Sequence, residues 1–115
     1  MPSQNPYRPG DIVVADCLGA VGVEKKSGPH GRPWVVISAP QSEAVMAAPV
    51  TRTYRRDRVE LPADGETGLA EKSYVEPVQT RFMSNDRIRR RLGTCPGQAF
   101  ETILRTVADA LIGHG

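Results

Sequence analysis

The sequence predicts an α+β fold, a small and partly open β-barrel followed by a short helix and a longer C-terminal helix. Three observations predict it. Short segments rich in β-branched residues recur from Asp11 to Val78, turn-forming Gly, Pro and Asp residues separate them, and a helical apolar period appears near the C-terminus. The 115 residues suit one domain with one core, expected to span 1–115 with 1–9 as a short tail. With 39% hydrophobic and 5% aromatic residues, that core must be built mostly from Val, Ile, Leu, Ala and Met.

Asp11–Asp16 (DIVVAD) is expected as the first strand, entered through Pro9-Gly10. A long loop follows from Cys17 to Gly31, with several glycines around Glu24, Lys25 and Lys26. Loops of that length inside a compact domain are uncommon and often functional. Pro33–Ala39 (PWVVISA) is a second strand, whose unbroken apolar run suggests burial on both faces or a barrel wall. Ala44–Val50 is a third, and Pro49 requires it to be an edge strand or to finish there. Arg58–Leu61 and Ser73–Val78 are further strands on either side of a turn at Pro62–Thr67. Ser84 reads as the N-cap of a short helical turn, Asn85–Arg91, which Gly93 breaks. The last helix has Pro96 at its first position, runs to about Ile112 and stops at Gly113. Phe100, Ile103, Leu104, Val107 and Leu111 share one of its faces, as core or as dimer contact.

The formal net charge of +2 discriminates little, but its make-up says more. Only Lys25, Lys26 and Lys72 are lysines among the basic residues. Of the arginines, Arg52, Arg55, Arg56 and Arg58 form one group and Arg87, Arg89, Arg90 and Arg91 another. Arginine binds phosphate through a planar, two-pronged donor set, so the pattern mildly favours a phosphate-bearing partner over two merely solvated faces. The first nine residues hold no apolar signal core, and the run Ala44–Val50 is far too short to span a bilayer. A cytoplasmic protein without a membrane partner is therefore expected. Cys17 and Cys95 are isolated, which fits a reducing compartment. With His30 and His114 beside them no metal-ligand spacing occurs, so neither a metal nor a cofactor is expected. P-loop, GxSxG and HExxH motifs are missing.

What remains suits cleavage of an RNA phosphodiester by its own 2′-hydroxyl. That reaction needs a base near the 2′-oxygen, cationic donors for the phosphorane and an acid for the leaving 5′-oxygen. Arg32 precedes Pro33, which biases it to an extended backbone at the mouth of a strand and aims its side chain; a solvated loop arginine is the plainer reading. Thr51, at a strand end, has a hydroxyl that could donate to a phosphate oxygen or satisfy its own turn. Glu24 is a candidate base if its loop closes, and His30 a candidate proton carrier. Glu76 is expected to point inward from the fifth strand beside Arg81, either toward the site or in a structural ion pair. Tyr54 among Arg52, Arg55 and Arg56 combines a stacking surface with cations, as single-stranded nucleic acid requires.

Taken in order, RPGDIVVAD, VGVE, GRPWVVIS, AAPVT, GLAEKSYVEPVQTR and RIRRRLGTCPGQAFETILRTVADALIG resemble the MazF/PemK family of toxin–antitoxin ribonucleases, over about residues 8–112. The resemblance implies an SH3-like β-barrel of the MazF/CcdB type and a homodimer with an RNA groove across its interface. It implies sequence-specific cutting of single-stranded RNA, chiefly mRNA, leaving a 2′,3′-cyclic or 3′-phosphate and a 5′-hydroxyl. It also implies a cognate antitoxin whose disordered acidic C-terminal arm blocks the groove. The family's catalytic Arg and Thr fall on Arg32 and Thr51, and Glu24 is the third catalytic candidate. Its Gln-x-Arg segment falls on Gln79 and Arg81. The expected RNA contacts are completed by Lys25, Lys26 and His30 on the loop, Arg52, Thr53, Tyr54, Arg55 and Arg56 after the third strand, and Glu76. Where some members carry an Arg and an Asp for acid–base work this chain has Glu76 and Val78, which leaves the general acid open. Two other readings stay open: a CcdB-like toxin that inhibits a topoisomerase, and a non-catalytic SH3-like binding module.

Overall fold

The computed structural model describes residues 5–16 and 31–112. These contain β1 (Asp11–Ala15), β2 (Arg32–Gln41), β3 (Ala44–Thr51), β4 (Val59–Leu61), β5 (Ser73–Val75), β6 (Arg81–Ser84), β7 (Ile88–Thr94) and α1 (Gly97–Ile112). The strands form an antiparallel sheet in the order β4-β5-β3-β2-β1-β7, with β6 also paired to β3. The α+β class is as expected. The sheet does not close, because β4 and β7 stand at its two ends without pairing to one another, so "barrel" describes it only loosely.

The central strands are apolar on both faces, and their two-residue period divides the core in two. Ile12, Val35, Ile37, Ala48 and Val50 point into one cluster, which Leu61, Val75, Cys95 and Ile103 complete. Val13, Trp34, Val36, Val45 and Ala47 point into the other, with Met83 and Ile88. This is why PWVVIS carries no polar alternation: each successive side chain meets a different core. From α1, Ile103 is fully buried, and Phe100 and Val107 pack beside it. Leu104 and Leu111, expected on the same face, remain exposed.

Pro49 is accommodated differently from the expectation of an edge or a strand end. β3 lies inside the sheet, and it changes partner along its length. Residues Ala44 to Ala47 pair with β6, whereas Val50 and Thr51 pair with β5. Pro49 sits at the seam, where its missing N–H leaves no ladder bond unmade, and its carbonyl accepts from the Glu76 N–H at 2.9 Å.

The segment after Val75 departs most from the sequence reading. β5 ends at Val75, not Val78, and Pro77–Gln79 form a 3-10 turn. β6 was not anticipated. Ser84 does cap a turn, its Oγ accepting from the Asp86 N–H at 3.3 Å, but the helical stretch lasts only from Asn85 to Arg87. The expected continuation to Arg91 is instead the strand β7. Helical propensity is a weak preference, and β1 offers the chain an unpaired edge together with two carboxylates. Arg89 Nε lies 2.8 Å from Asp16 Oδ1, and Arg91 Nε 2.9 Å from Asp11 Oδ1. Residues before β1 are tied down by Asn5, whose Nδ2 donates to the carbonyls of Gln41 and Ala44 at 2.7 and 3.0 Å.

Cys95 follows β7 and is buried in the larger cluster, where burial, and then the nearby Glu66 charge, push its thiol up from the ordinary 9.0 to about 11. Because the folded value is raised, the neutral thiol is favoured by folding. Its contribution to stability is complete below about pH 9 and is lost as pH rises toward about 11. In a Cys17→Ser background, the native chain is expected to resist thiol alkylation at mildly alkaline pH and to react quickly in urea. The steepness of stability loss in alkali should diminish in Cys95→Ala; equal slopes with and without the thiol would contradict the assignment.

Candidate active site

The site begins where the chain enters β2. Gly31 has φ +72°, and a Cβ there would lie 2.6 Å from the Ala15 carbonyl oxygen. Glycine alone allows the chain to pass this close to the end of β1 and turn into the strand. Arg32 follows at once, paired with Ala15 in the ladder. Its side chain reaches sideways across the sheet: Nη2 donates to the Val50 carbonyl at 3.0 Å and lies 3.8 Å from Glu76 Oε1. Its guanidinium carbon is also 5.9 Å from the centre of the Trp34 ring. Arg32 and Trp34 are two residues apart on one strand and so share a face, and Trp34 is only 3% exposed. The guanidinium of the arginine thus lies beside a packed indole.

Val50 is the residue before Thr51, so Arg32 is anchored to the peptide that carries the other catalytic candidate. Thr51 ends β3 opposite Tyr74. Its Oγ1 accepts from the Thr53 N–H at 3.3 Å, which leaves the hydroxyl proton to donate.

Glu76 lines the same cleft as Arg81, but its ion pairs among the described residues are with Arg32 and Arg58. Since β5 has already ended, Glu76 precedes the 3-10 turn and faces back toward β3 and β4. Arg58 Nη2 meets its Oε2 at 2.7 Å, and Arg58 Nη1 donates to the Thr53 carbonyl at 2.7 Å. One carboxylate therefore lies between two guanidiniums, with Arg58 the closer partner. All three side chains are mostly buried. The shared carboxylate offsets the cost of burying the guanidiniums, and the cluster keeps one positive charge in excess. Arg81, freed from Glu76, has its guanidinium carbon 5.9 Å from the centre of the Trp34 ring.

Arg32, Thr51, Glu76 and Arg81 line a cleft of about 830 Å³, and Arg58 lies behind Glu76 outside the lining. Arg32, Thr51, Arg52, Thr53, Glu76, Gln79 and Arg81 all contribute to its walls. The structure thus brings together seven of the ten predicted site residues that it describes, from β2, β3, β6 and the connections that follow β3 and β5. Tyr54, Arg55 and Arg56 are exposed and are not among the lining residues. Tyr54 instead packs edge-to-face on Tyr74, ring centres 5.6 Å apart at 76°. Glu24, Lys25, Lys26 and His30 lie outside the described residues. Sequence reasoning did not select Trp34, Arg58, Glu71 or Arg90 as site residues. Trp34 was hidden in an apolar run, although its place two residues after Arg32 marks it as a neighbour on the same face. Arg52 is drawn to Glu71 at 3.0 Å, an exposed pair worth little to stability. Among the charged groups on the walls, Arg32, Arg52, Arg81 and Arg90 outnumber Glu71 and Glu76, so the cleft favours an anion. Among the described residues, no three His, Cys, Asp or Glu side chains converge as a metal site, and no helix is long and apolar enough to cross a membrane.

The model of the PemK-like, MazF-like toxins of type II toxin–antitoxin systems matches residues 8–111. The chain belongs to this family. Solved structures similar to it include MazF from Deinococcus radiodurans, at 20% identity and a TM-score of 0.73, covering 94% of this chain and 97% of that one. The Mycobacterium tuberculosis toxin MazF-mt6 is 20% identical with a TM-score of 0.67, over 91% and 98% of the two chains. A mycobacterial endoribonuclease in complex with its cognate antitoxin is 21% identical with a TM-score of 0.70, over 95% and 98%. At such identities these structures speak for the PemK/MazF fold alone. No curated protein sequence matches the chain.

Glu76 pairs with both Arg32 and Arg58, so Glu76→Gln should destabilise the fold by about 1–3 kcal/mol, since it leaves two mostly buried guanidiniums without their counter-charge. Urea unfolding monitored by Trp34 fluorescence measures this, and an unchanged midpoint would mean that the cluster is not a stabilising one.

Proposed function

We propose that this PemK/MazF-family toxin is a sequence-specific endoribonuclease that cuts single-stranded RNA, chiefly mRNA, without a metal ion. One observation carries the reading: Arg32 Nη2 stands 3.0 Å from the carbonyl that precedes Thr51, in a cleft whose arginines outnumber its glutamates. A scissile phosphate placed there meets a rigidly based guanidinium and a hydroxyl donor together.

The 2′-hydroxyl oxygen attacks the adjacent phosphorus and loses its proton to a general base. We assign the base to Glu24, which precedes β2 in the chain. The O2′–P bond forms as the P–O5′ bond breaks, giving a 2′,3′-cyclic phosphate, open to later hydrolysis to a 3′-phosphate, and an O5′ that takes up a proton. Arg32 and the Thr51 hydroxyl donate to the non-bridging oxygens, whose charge grows in the phosphorane. Glu76 keeps Arg32 in place without neutralising it, because Arg58 takes the larger share of that carboxylate. Arg52, Thr53, Gln79 and Arg81 contact the flanking nucleotides. Lys25, Lys26, His30, Tyr54, Arg55 and Arg56 are assigned the remaining RNA contacts.

The same charge balance suits an antitoxin with a disordered acidic C-terminal arm, which would offer carboxylates to the arginines that otherwise take phosphates. A cognate antitoxin, a homodimer and a cytoplasmic location where mRNA is met complete the proposal.

Incubation of the chain with unstructured RNA in EDTA tests it, with fragments bearing 5′-hydroxyl ends expected. Arg32→Ala should lower kcat/KM by at least roughly 100-fold, about 3 kcal/mol, the usual loss for one charge-stabilising donor. Near-native cutting by a folded Arg32→Ala variant would overturn the mechanism. Inhibition of supercoiling by the wild type without any RNA cleavage would instead favour the topoisomerase reading.

A further inference from the structure

A second cleft, of about 220 Å³, is lined by Asp16, Trp34, Arg81, Phe82 and Arg87, among others. Trp34 and Arg81 line both clefts, so the two sites share a wall. A chain leaving the larger cleft can enter the smaller one along Arg81. Three features of this place point to a ligand. Phe82 is 63% exposed, on a strand that pairs only with β3 among the described residues. The Trp34 indole N–H is buried and has no hydrogen-bond partner among the described residues, which marks the shared wall as incompletely satisfied. Asp16 Oδ1 accepts from Arg89 Nε at 2.8 Å, yet a carboxylate has about four acceptor sites, so it retains capacity. A single exposed aromatic is ordinary on a protein surface. An exposed aromatic beside Arg81 and Arg87, in a hollow continuous with a phosphate site, is the combination by which single-stranded nucleic acid is gripped.

We infer that this cleft is a subsite for a nucleobase flanking the scissile phosphate, which deepens the endoribonuclease reading and rests on it. The base stacks on Phe82. Arg81 takes the phosphate between the two clefts. The Asp16 carboxylate accepts from an exocyclic amino group, so the subsite prefers a base bearing one to uracil.

The test uses the full chain and a single-stranded RNA library randomised around its cleavage sites, with fragment ends sequenced. Binding is read by fluorescence anisotropy on an uncleavable 2′-O-methyl oligonucleotide of the selected sequence. Phe82→Ala should weaken binding roughly 5- to 150-fold, the range expected for loss of one base–aromatic stack, and should flatten the base preference at one flanking position. Phe82→Trp should keep both. Asp16→Asn should change the base preferred at that same position. Binding and preference in Phe82→Ala that match the wild type, measured while the wild type cuts RNA, would overturn the subsite and leave the endoribonuclease reading standing. A wild type that neither binds nor cuts RNA would overturn both. A change of oligomeric state in Phe82→Ala, seen by sedimentation, would assign Phe82 to a contact between copies of the chain and also overturn the subsite.

Discussion

The change of partner along β3 is the constraint on which the site depends. A strand inside a sheet ordinarily keeps one neighbour on each side. Here β3 pairs with β6 over its first half and with β5 over its second, and Pro49, which cannot donate, occupies the seam. Because the outer ladder is interrupted at that point, the chain between β5 and β6 must turn sharply. The turn delivers Glu76 to the Pro49 carbonyl and into reach of Arg32 and Arg58. The cleft is what remains where the two half-ladders fail to meet.

Electrostatics and packing then divide the work. The Gly31 turn fixes where Arg32 starts; the indole of Trp34, Glu76 and the Val50 carbonyl surround its guanidinium and fix where it ends. Arg58 lies close enough to Glu76 that the carboxylate is satisfied mainly by it, so Arg32 is steered while keeping charge to offer. A lone buried arginine at this position would carry a large desolvation cost, and a one-to-one buried pair would leave it neutral toward a ligand. Two cations around one anion avoid both outcomes. The arginines of β7 divide: Arg90 lines the cleft, while Arg89 and Arg91 fasten that edge strand to Asp16 and Asp11.

Much of the fold was legible because its signals are local. The β-branched runs at DIVVA, PWVVIS and AVMAAPV fill strands, the continuous apolar character of the second announced two buried faces, and α1 follows from its apolar period and the proline before it. The region from Val75 to Thr94 was not legible. Ser84 is a true cap, and Ile88 and Leu92 have helical spacing, so local rules favour a helix beyond Arg87. Strand β7 exists because β1 is waiting with open hydrogen bonds and two carboxylates, and neither is near in sequence. The same distance explains Glu76: its side of the strand was judged from a β5 three residues too long, which aimed it at Arg81.

The sequence by itself determined the residue types that meet in the cleft, the strands that carry Arg32 and Thr51, and the family to which their order belongs. Only the tertiary structure decided that Arg32 is tied to the peptide before Thr51, that Arg58 and not Arg81 faces Glu76, and that Tyr54 turns to Tyr74 rather than to the cleft. Backbone preference and side-chain period act over a few residues and can be read along the chain. The sharing of a charge, or the seam between two half-paired strands, arises only when segments far apart are brought within a few ångströms.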